Sequence, residues 1–189
     1  VGPKLFTIDM VYSEKYPTHA AWWTGWGEWA ASFIAADSGG KAKIITAPGK
    51  GDPQFDFYNS GFDKTLTQKC SGCKVVDEVS WTVADLAANG PWVTGLRNSL
   101  VKNPDADYVW VPFDTNAVES GGAKAVLQAG GKAKLLSGIG SGSAMDLIRE
   151  GQIAAESVAR SSDWVSWAAI DQINRHFAGE KSVPLGLGF

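Results

Sequence analysis

At 189 residues, with 44% hydrophobic and 20% charged side chains, the chain has the make-up of an ordinary globular protein and the length for one domain or a little more. A formal net charge of -3, with no basic run denser than Lys41-Ala-Lys43, leaves no electrostatic footprint for a nucleic-acid backbone. No stretch approaches the roughly 18 consecutive apolar residues that a membrane-spanning helix needs.

In chain order, an apolar run over 5–11 predicts a first strand. Trp22, Trp26, Trp29 and Phe33 then recur at helical spacing and predict a helix over 20–36, stopped by Gly39-Gly40. Such a stripe fits a helix buried against a sheet, although large aromatics also serve as ligand platforms. Further strands are expected at 42–47, 74–80, 108–113, 133–138 and 153–158. Helices are expected between and after them at 53–69, 85–102, 117–129, 143–150 and 163–178. Asp52-Pro53, Asp85 and Asp163 act as start signals, and Gly130-Gly131 and Gly151 as stops. This alternation predicts an α/β fold, a Rossmann-like parallel sheet flanked by helices on both faces. Ligands of such sheets bind beyond the C-terminal ends of the strands, which singles out the loops 48–56, 81–85, 114–116, 138–143 and 159–162.

Three constellations carry chemistry of their own. Cys70-Ser-Gly-Cys73 has the spacing of half a zinc site, of a redox dithiol or of a short disulfide loop. The chain has only two Cys, and its two His, His19 and His176, are far away, so a second pair of zinc ligands is missing. A redox dithiol wants a helix N-terminus, whereas this pair follows a helix; a disulfide across a tight turn, or two unpaired thiols, remain. Gly138-Ile-Gly140-Ser-Gly142-Ser143 sits between a strand and a helix, the setting of a dinucleotide loop, but its third glycine position is Ser143 and the downstream acid, Glu156, lies inside a strand pattern. No nucleophile elbow is present and neither His lies on a loop at the strand ends, so no catalytic residue and no cofactor is expected.

The order of several pieces is specific. These are Trp26-Gly-Glu-Trp-Ala-Ala-Ser-Phe-Ile34, Asn59-Ser-Gly-Phe62 and Leu100-Val-Lys-Asn-Pro-Asp-Ala-Asp107, followed by Ala123-Lys-Ala-Val-Leu-Gln-Ala-Gly130 and Asp146-Leu-Ile-Arg-Glu-Gly-Gln-Ile-Ala-Ala155. Together they resemble the ribose-binding-like, sugar-type branch of the type I periplasmic binding proteins, a fold shared by the effector domains of LacI-like repressors. The resemblance implies a second lobe over 13–158, a remnant of a first-lobe strand and hinge over 1–12, and a hinge with a helix returning to the first lobe over 159–189. Most of the first lobe is then expected to lie outside this sequence. The implied function is that of an extracytoplasmic solute-binding protein that hands a sugar-like ligand to an ABC transporter permease, with a repressor effector domain as the alternative.

By the same resemblance, ligand contacts come from Gln54 and Asp56 at the start of a helix, from Trp81 at a strand end, from Asp114 and Asn116, and from Gly140. Carboxylates and amides fork onto sugar hydroxyls, and an indole stacks on a sugar face. Two positions depart from the family pattern: Asp56 stands where Arg is frequent, and Ile139-Gly140 replaces a Phe-Asp pair. Local readings compete at three sites, with Asp114 as a helix cap, Asp56 as a solvated first-turn acid and Trp81 as core cover. Export of the relatives implies a Cys70–Cys73 disulfide. Trp167, Ile170, Ile173 and Phe177 share a face of helix 163–178 that in the family packs on the first lobe, which makes self-association through that helix an expectation for this chain.

Overall fold

Five strands and six helices alternate along residues 17–159 and 162–181, the part of the chain that the computed structural model describes. They are α1 (Pro17–Asp37), β1 (Lys43–Thr46), α2 (Pro53–Lys69), β2 (Lys74–Glu78), α3 (Pro91–Lys102), β3 (Tyr108–Trp110), α4 (Gly122–Gln128), β4 (Lys134–Ile139), α5 (Gly142–Arg149), β5 (Ala155–Ala159) and α6 (Ser162–Phe177). The expected strand 5–11 lies outside the described residues. All neighbouring strands pair in parallel, in the order β2-β1-β3-β4-β5. The order reverses between β1 and β3, which opens a crevice at their C-terminal ends.

Local chemistry sets the element ends. Gly39 and Gly40 take φ of 63° and 83°, and the Gly40 N–H returns to the Ala35 carbonyl, closing α1. The Asp52 side chain accepts from the Gln54 N–H and Pro53 fills the first helical position of α2. Two expected helices are shorter than their periodicity suggests. The stretch 85–102 divides into a 3-10 turn at Val83–Leu86, held by Thr82 and Asp85, and α3, because Pro91 disfavours helical geometry at Gly90 and restarts the helix. The stretch 117–129 divides into a π-type turn at Thr115–Glu119 and α4, with Gly121 at φ 90° between them.

Helices α1 and α2 pack on one face of the sheet, and α3 and α4 pack together on the other, as right-handed crossovers require for this strand order. Strand alternation shows the division: Tyr108 and Trp110 of β3 both point to the first face, where the Tyr108 hydroxyl donates to Asp37 of α1 and the Trp110 ring stacks on Phe62 of α2 at 4.1 Å. Ile44, Ile45, Val109, Leu135 and Leu136 fill the centre of the sheet with almost no exposure.

The N-terminal rim of the sheet is a row of ion pairs. Lys43 pairs with Asp105, Lys132 with Asp107 and Lys134 with Asp37. The bond from Lys134, then that from Tyr108, holds the Asp37 carboxyl below its usual range. At the same end Cys70 and Cys73 are joined by a disulfide that closes the turn between α2 and β2.

Candidate functional site

The opposite rim, at the C-terminal strand ends, has a polar half and an aromatic half. Pro112 and Phe113 carry the chain from β3 to Asp114, whose side chain is almost fully buried at 3% exposure. Asp114 does not cap the turn that follows it. Its two oxygens reach across to the β4–α5 connection instead: the Ser137 hydroxyl donates to Oδ1 at 2.9 Å and the Ser141 N–H to Oδ2 at 2.7 Å.

Ser137 is paired in register with Glu156 of β5, so both side chains stand on the same face of the sheet. Glu156 Oε2 accepts the Gly140 N–H at 3.1 Å, while its buried Oε1 meets no donor. Burial first, and then the adjacent Asp114 carboxylate, push the Glu156 carboxyl up to about 9. No Lys or Arg forms an ion pair with either acid among the described residues.

The turn held by this pair is backbone under strain. Ile139 has φ 100°, which a β-branched residue almost never adopts, and Gly140 follows at φ 76°. Ser141 then caps α5 by accepting the Ala144 N–H. Asn116 lies within the π-type turn with no exposure and with neither amide atom partnered.

The aromatic half centres on Phe113, whose ring lies 5.3 to 6.2 Å from the rings of Trp23, Trp26, Phe55, Tyr58 and Trp81. Trp81 is 2% exposed and donates its indole N–H to the Ala47 carbonyl at 2.8 Å. It covers the core, and the expected stacking face is closed off by Phe55 and Phe113. Phe113, only partly buried, is the member of this cluster at the strand end that retains surface.

Asp114 and Gly140 are therefore brought together, and Asn116 follows Asp114 on the same connection. Gln54 and Asp56 sit apart, in the first turn of α2 beyond β1, Gln54 half-buried with Oε1 unpartnered and Asp56 exposed. Glu156 and Phe113 were not among the expected site residues. Glu156 was visible only as an acid inside a strand, and its meeting with Asp114 depends on the β4–β5 register, which no local pattern reveals. Phe113 had the signal of an aromatic at a strand end directly before Asp114.

No protein-family model and no curated protein sequence matches the chain. Solved structures do. A sugar ABC transport system substrate-binding protein from Bordetella parapertussis superposes with a TM-score of 0.71 at 19% identity, over 86% of this chain and 49% of that one. AraP, an arabinose-binding protein from Geobacillus stearothermophilus, gives 0.71 at 20% identity over 88% and 55%. A periplasmic solute-binding protein from Actinobacillus succinogenes, solved with D-allose, gives 0.72 at 19% over 86% and 56%. The chain thus spans about half the length of each of these structures. Its five-stranded parallel sheet with flanking helices has the type I periplasmic-binding-protein fold that it shares with these structures.

Proposed function

We propose that the chain is the second lobe of an extracytoplasmic solute-binding protein that closes with a first lobe over a sugar-like ligand and delivers it to an ABC transporter permease. The observation that carries this reading is the fold shared with several sugar-transport binding proteins, each matched over about half its length, together with a polar rim at the strand ends where no Lys or Arg pairs with Asp114 or Glu156 among the described residues. Binding without catalysis is in keeping with those neighbours. The Cys70–Cys73 disulfide favours an oxidising compartment over the cytoplasm, and so an importer over a repressor.

In this reading Asp114, Asn116 and the Gly140 turn hold ligand hydroxyls, Phe113 takes the apolar ring face in place of Trp81, and Gln54 and Asp56 close the far side. Mass spectrometry of the small molecule released from the purified, full-length protein tests it. A sugar or polyol is the expected finding, and a nucleotide or an amino acid in stoichiometric amount would sink the reading.

The face of α6 belongs to the same proposal. Trp167, Ile170 and Phe177 are 73%, 47% and 81% exposed, a surface that suits the first lobe and, in this chain alone, a second copy of itself. Light scattering behind size-exclusion chromatography should show a mass that rises with concentration. A constant monomer mass over the whole series would count against self-association.

A further inference from the structure

Four observations at the C-terminal rim belong together. The Asp114 and Glu156 carboxyls are neighbours, because Glu156 stands in register with Ser137, whose hydroxyl donates to Asp114, and two ionised acids cannot bond to each other. Each also receives one N–H from the same turn: Gly140 donates to Glu156 and Ser141 to Asp114. Glu156 Oε1 is buried without a donor, a position that a proton of its own would satisfy. The residue before those two N–H groups, Ile139, sits in a conformation that is costly unless its surroundings enforce it.

We propose that Glu156 carries a proton that it donates to Asp114, and that this hydrogen-bonded pair positions the strained turn Ile139–Gly140–Ser141 as a wall of the ligand cleft. The inference rests on the cleft reading above only for the word cleft; the pair and the turn stand on the geometry alone. With one proton the pair carries a single negative charge. Oδ1 and Oδ2 of Asp114 take the Ser137 and Ser141 donors, the Glu156 O–H takes Asp114, and Oε2 is left for Gly140. Removing the proton places two carboxylates side by side at a site where two N–H groups and one hydroxyl must solvate both. The turn then has no arrangement that satisfies it. Among the described residues, Asp114 is the one charged group acting on Glu156; β4 contributes Ser137, the β4–α5 turn the two backbone N–H groups, and α1, which packs against β5, no charge that acts on it. Glu156 is thus a positioning residue, and glutamine, which donates with its amide nitrogen and accepts with its oxygen, is the variant that should preserve the turn without the proton.

Carbon-detected NMR of the uniformly labelled 189-residue chain, with no ligand added, tests this through nuclei that do not exchange with water. The expected result is a Glu156 side-chain carboxyl carbon that titrates far above the ordinary carboxylate range, near about 9, with the Ile139 carbonyl carbon shifting at the same step. In E156Q the Ile139 carbonyl should keep its neutral-pH position throughout, and in E156A it should be displaced at every pH. Should E156A not fold, the wild-type and E156Q titrations decide between them. A Glu156 carboxyl titrating in the ordinary carboxylate range would overturn its proton, and an Ile139 carbonyl indifferent to the Glu156 step would overturn the positioning role. Because no ligand is present, either failure leaves the solute-binding reading untouched, and the released-ligand experiment can fail without affecting this one.

Discussion

The two rims of the sheet handle acidic side chains in opposite ways. At the N-terminal rim each carboxylate meets a lysine at the surface, and Lys134 with Tyr108 draws the Asp37 carboxyl down. At the C-terminal rim Asp114 is buried and Glu156 partly buried beside it, with no Lys or Arg paired to either among the described residues, and Glu156 is driven up. Acids of the first kind help to hold a sheet in place. Acids of the second kind are held in place by it, at a standing cost, and such arrangements concentrate where a protein meets its ligand. The rims also respond to pH with opposite signs. Asp37 contributes stability above its unfolded value of 3.8, which is lost as pH falls through the lower folded value. Glu156 binds its proton more tightly when folded, so its contribution is complete below 4.5 and is lost as pH rises from there to about 9.

The largest expected effect separates the two halves of the C-terminal rim. Trp81→Ala should cost about 3–5 kcal/mol in urea unfolding, the amount typical of a large buried aromatic. A loss below about 1 kcal/mol would return Trp81 to the role of an exposed stacking platform. Asp114→Ala removes the acceptor for the Ser137 hydroxyl and the Ser141 N–H and should cost about 1–3 kcal/mol. In the full-length protein the same change should weaken ligand binding by a comparable amount, and an unchanged dissociation constant would take Asp114 out of the site.

Titration sharpens the contrast further. Thermal unfolding of the wild type should show a Tm that declines between about pH 5 and 9, and Glu156→Gln should flatten that decline and raise the Tm at pH 8. A variant that tracks the wild type across this range would remove Glu156 as its cause. The smallest change is expected at the other rim. Lys134→Met should cost less than about 1 kcal/mol at neutral pH, because Lys134 is half exposed, and should soften only the acid limb of the stability curve.

Much of this could be read in the chain. Alternating apolar runs and capped helices placed all the strands and helices within the described residues, because burial on both faces of a parallel sheet writes itself into sequence as short Val/Ile/Leu runs such as Lys134–Ile139. The failures have physical causes. Periodicity carried helix 85–102 through Pro91, where backbone chemistry overrides it. Trp81 was legible as an aromatic at a strand end but not as one sealed by Phe55 and Phe113, which come from the first turn of α2 and the connection after β3. Asp114 could be found because its place after a strand is local. Glu156 could not, since what makes it unusual is a neighbour 42 positions earlier, reached only once β3, β4 and β5 lie side by side.

Helix α1 crosses α2 where two glycines face backbone: a Cβ on Gly27 would strike the Tyr58 carbonyl, and one on Gly61 the Thr24 carbonyl. With no side chains between them, the two helices have no cushion to slide on at that point. The crossing works as a fulcrum. One arm of α1 carries Asp37 to the ion pairs of the N-terminal rim, and the other carries Trp23 and Trp26 to Phe113. The close approach thus ties the position of Asp37 at one rim to that of the aromatic cluster around Phe113 at the other, since both hang on one helix that cannot shift along α2 without a clash of backbones.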